Sequence, residues 1–375
     1  MDRNIFAYLE WRGDLSMESV HLNEADAAVF ARFSYLPLEL YFTKENTKFV
    51  PMGEVCAALL RDETISSRVL NGEDEILLSA IGKSPRFANL PLGNYVNILD
   101  KEKQLQFSAC VIRISRGKYV IAFRGTDNTI IGWKEDLNMG FICPVDSQRM
   151  ALKYLEEFMS NHNGKYYIVG HSKGGNLAVY SSVFASPKNR DRIINVYNFD
   201  GPGFSDEVLN ADGYRLICDR IHTYVPQNSI VGTILGHRER YEVVHGFRPN
   251  PIQQHEVYAW EIYRDAFIRE EDLSQGSSLF RHTMKDWLGK MNIKQREDFV
   301  EALYNVIAEM NADTLDDIVA HPVQNSKAVL GALHNMSDES KDVIFEGMRL
   351  FAKCMLANKK TNVRISEKVL DFFSP

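Results

Sequence analysis

Between residues 105 and 124 the chain reads LQFSACVIRISRGKYVIAFR, an alternation of apolar and polar positions interrupted once, at Arg116-Gly117. Alternation at period two, broken by a glycine, predicts a β-hairpin. Further on, the strand-like runs KYYIVG, IINVYNFD and RIHTYVP alternate with helical patterns, of which GGNLAVYSSVFA is the clearest. Such alternation predicts βαβ units and a mainly parallel sheet. Upstream, LNEADAAVFARFSYL predicts a helix capped by Asn23, with Glu24 and Asp26 in its first turn, although Ala27, Phe30, Ala31 and Phe33 make only a rough stripe. Beyond about Ser274 the strand signals stop. REDFVEALYNVIAEM sets Phe299, Leu303, Val306, Ile307 and Met310 on one helix face, and SDESKDVIFEGMRLFAKCML, capped by Ser337, does the same with Ile344, Met348, Phe351 and Met355. RHTMKDWLGKM is apolar on one face, and packing rather than a lid is its expected use. The pattern predicts an α/β unit over 1–275 and a C-terminal helical region over 276–375, with no internal repeat or low-complexity linker.

Composition narrows the function classes. The 375 residues are 45% apolar with a net charge of −7, which argues against nucleic acid or an anionic membrane surface as the main partner. No run of about 18 uncharged apolar residues predicts a membrane span. The opening MDRNIFAYLEWRGDLS has no apolar core of a secretion signal. Cys56, Cys110, Cys143, Cys218 and Cys354 are scattered and form no Cys-x-x-Cys, so reduced, mostly buried thiols and a cytoplasmic location are expected. The ten histidines form no His-Glu-x-x-His and never pair with cysteines, so no metal site is expected.

The candidate chemistry lies in YYIVGHSKGGNLAVY, residues 166–180. Gly170-His171-Ser172-Lys173-Gly174 matches the Gly-x-Ser-x-Gly nucleophile elbow, in which the serine occupies a strained strand-to-helix turn. The strand before it and the helix after it are the context the motif requires. A phosphate loop is excluded because no Gly-Lys-Ser/Thr follows at the needed spacing, which leaves a structural glycine turn as the plain alternative. A serine nucleophile needs a base and oxyanion donors. Upstream, VIAFRGTDNTIIGWKEDLNM runs a strand into Arg124-Gly125-Thr126, followed by Trp133 and Asp136.

FRGTD, then GWKEDL, then GHSKGG some 35 residues later resembles the class 3 lipases, a branch of the α/β-hydrolases. The resemblance spans roughly residues 25–265, and GDLSMESVHLNEADAAVFARFSYL and NFDGPGF look like a bacterial branch of lipase-like proteins. It implies an α/β-hydrolase fold with Ser172 as nucleophile. The N–H of Lys173 and the N–H or hydroxyl of Thr126 would be oxyanion donors. Arg124 would brace the oxyanion loop, and the Lys173 side chain is expected at the surface.

In this fold the base follows the serine in sequence. Of His222, His237, His245, His255, His282, His321 and His334, the first lies in a strand pattern and the last three in the helical region. His237 and His245 flank the polar RERYEVV and are expected at the surface. His255, after FRPNPIQQ and before the strand-like VYAWEIY, stands where the resembling proteins carry Gln-His-Asp/Glu. The acid departs from the family. Its usual place falls near Asn228 or Ser229, in HTYVPQNSIVG, and neither is a carboxylate. Asp200, ending INVYNFD, is the substitute, unless it only caps a turn.

The expected protein is a serine carboxylic-ester hydrolase acting on small, short- or medium-chain acyl esters through an acyl-enzyme. No cofactor or metal is implied, and the oligomeric state is left open. A thioesterase or acyltransferase would use the same residues, and a non-catalytic scaffold retaining the fold is the alternative from another class.

Overall fold

Among the described residues, nine strands form one sheet. Its spatial order is β1 (Val50–Pro51), β2 (Pro91–Asp100), β3 (Leu105–Ser115), β4 (Lys118–Phe123), β5 (Lys165–His171), β6 (Ile193–Phe199), β7 (Ile221–Pro226), β8 (Glu242–Val244) and β11 (Arg269–Glu270). A separate ribbon pairs β9 (Ile262–Tyr263) with β10 (Ala266–Phe267). The computed structural model describes residues 3–43, 48–100, 102, 105–127, 134–135, 138–139, 142–308 and 336–372. Trp133, Asp136, Met310, His321, His334 and the side chain of Ile307 lie outside the described residues.

The predicted hairpin is β3–β4, which turns at Arg116-Gly117 with Gly117 at φ +70°. Strands β4 to β8 run parallel, as the βαβ pattern requires, and antiparallel strands extend the sheet at both edges. Because side chains alternate along a strand, the sheet divides the core in two. Cys110, Ile112, Val120, Ala122, Val169 and Phe199 face helix α1 (Glu24–Phe33). Phe107, Val111, Ile121, Phe123 and Ile168 face helices α2 (Asp146–Asn161) and α3 (Lys173–Phe184).

Helix α1 begins with the expected cap, a reciprocal box in which Asn23 accepts from the Asp26 N–H and Asp26 accepts from the Asn23 N–H. Its stripe is rough for a physical reason: every residue from Ala25 to Phe33 is buried, so no face needs to be polar.

The segment VYAWEIY departs from its strand-like reading. It follows the short helix α4 (Pro251–His255), makes a buried 3-10 turn at Val257–Ala259, and only then enters β9. Trp260 causes the fold-back, since its indole N–H donates to the Gln254 carbonyl at 2.7 Å and its ring is wholly buried.

The C-terminal part holds helices α5 (Gln275–Lys290), α6 (Ile293–Ala308) and α7 (Asp338–Phe372). RHTMKDWLGKM packs as expected. The Trp287 ring meets Phe299 at 5.2 Å and Phe351 at 5.6 Å between centroids, and its N–H donates to the Gly347 carbonyl at 2.9 Å. That contact sets the phase of α7. Ile344, Gly347 and Cys354 turn inward, whereas Met348 and Met355, predicted on the buried stripe, are 59% and 37% exposed. Lys134 ties α6 to the core, its ammonium lying 2.9 Å from Glu301 and 3.9 Å from the centre of the Tyr304 ring.

Candidate active site

Strand β5 ends at His171 and helix α3 opens at Lys173, so Ser172 occupies the junction alone. Its backbone sits at φ +56°, ψ −133°, a conformation that costs a non-glycine residue about 1–3 kcal/mol and needs surrounding structure to enforce it. The enforcement is visible. The Ser172 N–H donates to the Phe199 carbonyl on β6, and its carbonyl accepts the Gly175 N–H, both at 2.9 Å. Gly174 lies so close to the end of β4 that a Cβ would stand 2.2 Å from the Phe123 carbonyl oxygen. Gly125 is equally confined, since a Cβ there would stand 2.0 Å from the Tyr35 hydroxyl and 3.1 Å from the Ser172 Cβ. Arg124-Gly125-Thr126 therefore passes directly beside Ser172. The buried Arg124 guanidinium donates to Asn97 at 3.1 Å and lies 3.5 Å from Asp127, bracing that turn as expected.

The Lys173 side chain is not at the surface. It is 1% exposed, and its ammonium donates at 3.0 Å to both Glu135 and the Gln106 side chain. As the first residue of α3 it points under the sheet, where a cation must have a counter-charge, and Glu135 supplies one. Glu135 also accepts the Ser147 N–H at 2.9 Å.

Asp200 directly follows β6, is fully buried, and adopts φ +50°. One carboxylate oxygen lies 2.6 Å from Nδ1 of His255; the other accepts the Ser229 hydroxyl at 2.5 Å and the Gly232 N–H at 3.1 Å. The three residues that sequence left competing are thus separated by geometry. Asp200 meets His255, Ser229 stands behind Asp200, and the Asn228 backbone N–H donates to Gln254 at 3.2 Å.

His255 ends α4, with its side chain 20% exposed. Its neighbours pin it on both sides. Gln254 is buried and donates to the carbonyls of Gly246, at 2.9 Å, and of Arg248. Glu256 lies 3.0 Å from the fully buried Arg32, whose guanidinium grips Asp74 with two bonds of 2.8 and 2.9 Å. From below, His171 Nε2 donates to the His255 carbonyl at 2.6 Å, and the Tyr35 hydroxyl, which donates to the His171 carbonyl at 3.0 Å, also lies 3.0 Å from Nδ1. Burial, reinforced by the nearby His255, depresses the His171 pKa to about 3, so this ring is neutral. Gln254 and Glu256 belong to the Gln-His-Asp/Glu pattern noted in the sequence, but His171, Arg32 and Tyr35 carry no such signal. His171 is a free position of the elbow motif, and Arg32 reads as an ordinary helix residue.

Serine, acid, histidine and the Gly125-Thr126 turn all lie within residues 81–305, the span that matches the Mbeg1-like family. The chain belongs to the Mbeg1-like family. Among solved structures, the M37 lipase is similar, with 18% identity and a TM-score of 0.37 over 56% of this chain and 69% of that one. A triacylglycerol lipase from Penicillium expansum is similar at 11% identity and a TM-score of 0.33, over 68% of this chain and 89% of that one. No curated protein matches the chain.

Two further histidines of this Mbeg1-like protein lie against carboxylates. His237, expected at the surface, has a side chain only 4% exposed. It lies 3.2 Å from Glu239 and donates to the Gly232 carbonyl at 2.8 Å. Burial opposes its charge, but Glu239 outweighs that and raises its pKa. Glu239 is itself saturated by the hydroxyls of Thr223 and Tyr214 at 2.5 and 2.7 Å. His245 is partly exposed beside Glu270. Cys56, Cys110 and Cys354 are buried, Cys143 and Cys218 partly so, and burial pushes the Cys56 and Cys110 thiols up to about 12, far from reactive. Among the described residues, no His/Cys/Asp/Glu group could hold a metal ion, and no helix is long and apolar enough to cross a membrane.

Proposed function

We propose that the protein is a serine carboxylic-ester hydrolase of the class 3 lipase type, of the bacterial branch its motifs resemble. The observation that carries this reading is the 2.6 Å contact between His255 Nδ1 and a buried carboxylate, beside a serine held in a strained elbow. Asp200 fixes the imidazole with its proton on Nδ1, so Nε2 presents a lone pair for the Ser172 hydroxyl. Ser172 Oγ attacks the acyl carbonyl while Nε2 takes its proton. The N–H groups of Lys173 and Thr126 receive the negative charge that develops on the carbonyl oxygen, helped by the positive end of α3. The imidazolium returns the proton to the leaving alcohol, and water then repeats the sequence on the acyl-enzyme. The steps balance with ester and water alone.

The substrate class is a small acyl ester of short or medium chain, met in the cytoplasm, with neither nucleic acid nor an integral membrane segment involved. Thioester cleavage or acyl transfer would run through the same acyl-enzyme. The scaffold alternative drew its support from Asn228 and Ser229 standing where the family has an acid, and Asp200 behind His255 weakens that support.

The test is covalent labelling by a fluorophosphonate. The parent labels, and Ser172→Ala, with an unchanged circular dichroism spectrum, does not. A parent that fails to label, or a Ser172→Ala variant that labels equally well, overturns the assignment.

A further inference from the structure

The start of the loop after β7 is where the resembling family carries its acid, and here Asn228 and Ser229 stand at that place. It is nevertheless bonded to Asp200 and to the residue before His255. The Ser229 hydroxyl donates to Asp200 at 2.5 Å, and the Asn228 N–H donates to Gln254, the residue before His255. The loop therefore touches both the acid and the support of the histidine.

Gln227 is tied to Val244 and Gly246 in the core, and two further bonds reach the loop from helix α5. The Ser274 N–H, at the cap of α5, donates to the Gln227 carbonyl at 2.7 Å. One turn on, the Ser277 hydroxyl donates to the carbonyl of Ser229 itself. Ser277 is 5% exposed and Ser229 fully buried, so water does not substitute readily for either bond. A chain of three hydrogen bonds thus links α5 to the histidine: Ser277 donates to the Ser229 carbonyl, the Ser229 hydroxyl donates to Asp200, and Asp200 accepts from His255 Nδ1.

We propose that helix α5 is a positioning element of the active site, acting through Ser277 and Ser229 on the orientation of Asp200. The inference rests on the reading of Ser172, His255 and Asp200 as a triad. It assigns the helical region a role in the reaction rather than that of an appendage. Ser229 replaces the family's acid not as a carboxylate but as the donor that fixes the carboxylate's plane, and α5 fixes Ser229. Small displacements matter at this position, because loss of alignment by about 1 Å costs on the order of 100-fold in rate.

The test uses the full chain with Ser277→Ala, Ser229→Ala and the double variant. Two readouts are followed: fluorophosphonate labelling with ester turnover, and the low-field proton resonance of His255 Nδ1, which reports its bond to Asp200 without any chemistry. We expect Ser277→Ala to lower kcat between about 10-fold and 100-fold with KM unchanged, and to shift or broaden the His255 resonance. The double variant should be no worse than Ser229→Ala alone, because both act through one chain of bonds. A Ser277→Ala protein with parent kcat and parent resonance overturns the proposal, as do strictly additive losses in the double variant. If the parent neither labels nor turns over ester yet its His255 resonance responds to Ser277→Ala, the hydrolase reading falls and the coupling stands. Should Ser277→Ala not fold, Ser229→Ala alone decides, and an unchanged resonance there overturns the coupling.

Discussion

His255 and Asp200 lie 55 positions apart and meet at 2.6 Å, with the carboxylate wholly buried and the imidazole reaching toward solvent. This arrangement fixes one ring nitrogen against a buried carboxylate and so sets the orientation of the ring. It differs from a turn cap, in which Asp200 would spend its oxygens on the backbone alone.

Replacement of Asp200 by Asn separates the two roles. An amide oxygen can still accept from Ser229 and Gly232, which leaves the NH2 facing His255 Nδ1. Nδ1 must then accept, and the proton moves to Nε2, the wrong tautomer for a base. We expect Asp200→Asn to keep its melting temperature within a few degrees and to lose up to about 10⁴-fold in turnover. Steady-state kinetics beside thermal melting measures both. Parent-like turnover, with His255→Ala inactive, would reduce the mechanism to a Ser–His dyad.

His171 gives a pH dependence of stability whose sign is fixed. Its pKa falls from 6.5 in the unfolded chain to about 3 when folded, through burial first and the His255 charge second. Above pH 6.5 the ring is neutral in both states and the native state suffers no penalty. As pH falls from 6.5 toward 3, the unfolded chain binds a proton that the native state refuses, and stability drops by up to about 1.4 kcal/mol per pH unit. His222, also depressed by burial, acts in the same direction, whereas His237, raised, acts in the opposite one. The comparison with His171→Gln isolates the residue. Urea melts at several pH values should show a shallower acid slope in the variant, and equal slopes would refute a neutral, buried His171.

How far sequence reached depends on range. Hairpin β3–β4, the cap at Asn23 and the elbow at Ser172 are set within a few neighbouring residues, and each was legible. Sequence names Asp200 as the substitute acid over Asn228 and Ser229, but whether it faces His255 or only caps a turn depends on how β6, β7 and α4 converge. The phase of α7 was misread at Met348 and Met355, since a stripe of large side chains says nothing of the close approach that Gly347 permits. His237 and Lys173 read as exposed in the sequence because a lone charged or polar letter shows no partner. Their partners, Glu239 and Glu135, are visible only once the chain is folded.

Lys173 yields the last prediction, because its backbone and side chain have different tasks. The proposed oxyanion donor is its N–H, which any residue but proline retains. Its ammonium instead neutralises Glu135, a carboxylate with a side chain 4% exposed that also accepts from the Ser147 N–H. Lys173→Met keeps the apolar stem and removes the charge, leaving Glu135 buried and uncompensated, which costs about 3–5 kcal/mol. Adding Glu135→Gln removes the orphan charge, and the amide oxygen can still accept from Ser147. The double variant should therefore recover most of the lost stability, and urea unfolding of the four proteins closes the cycle. Labelling of Ser172 should survive in the double variant, because the N–H at position 173 is unchanged. A single Lys173→Met variant as stable as the parent would mean that the pair contributes nothing. A stable double variant that no longer labels would move the ammonium from structural support into the chemistry of the site.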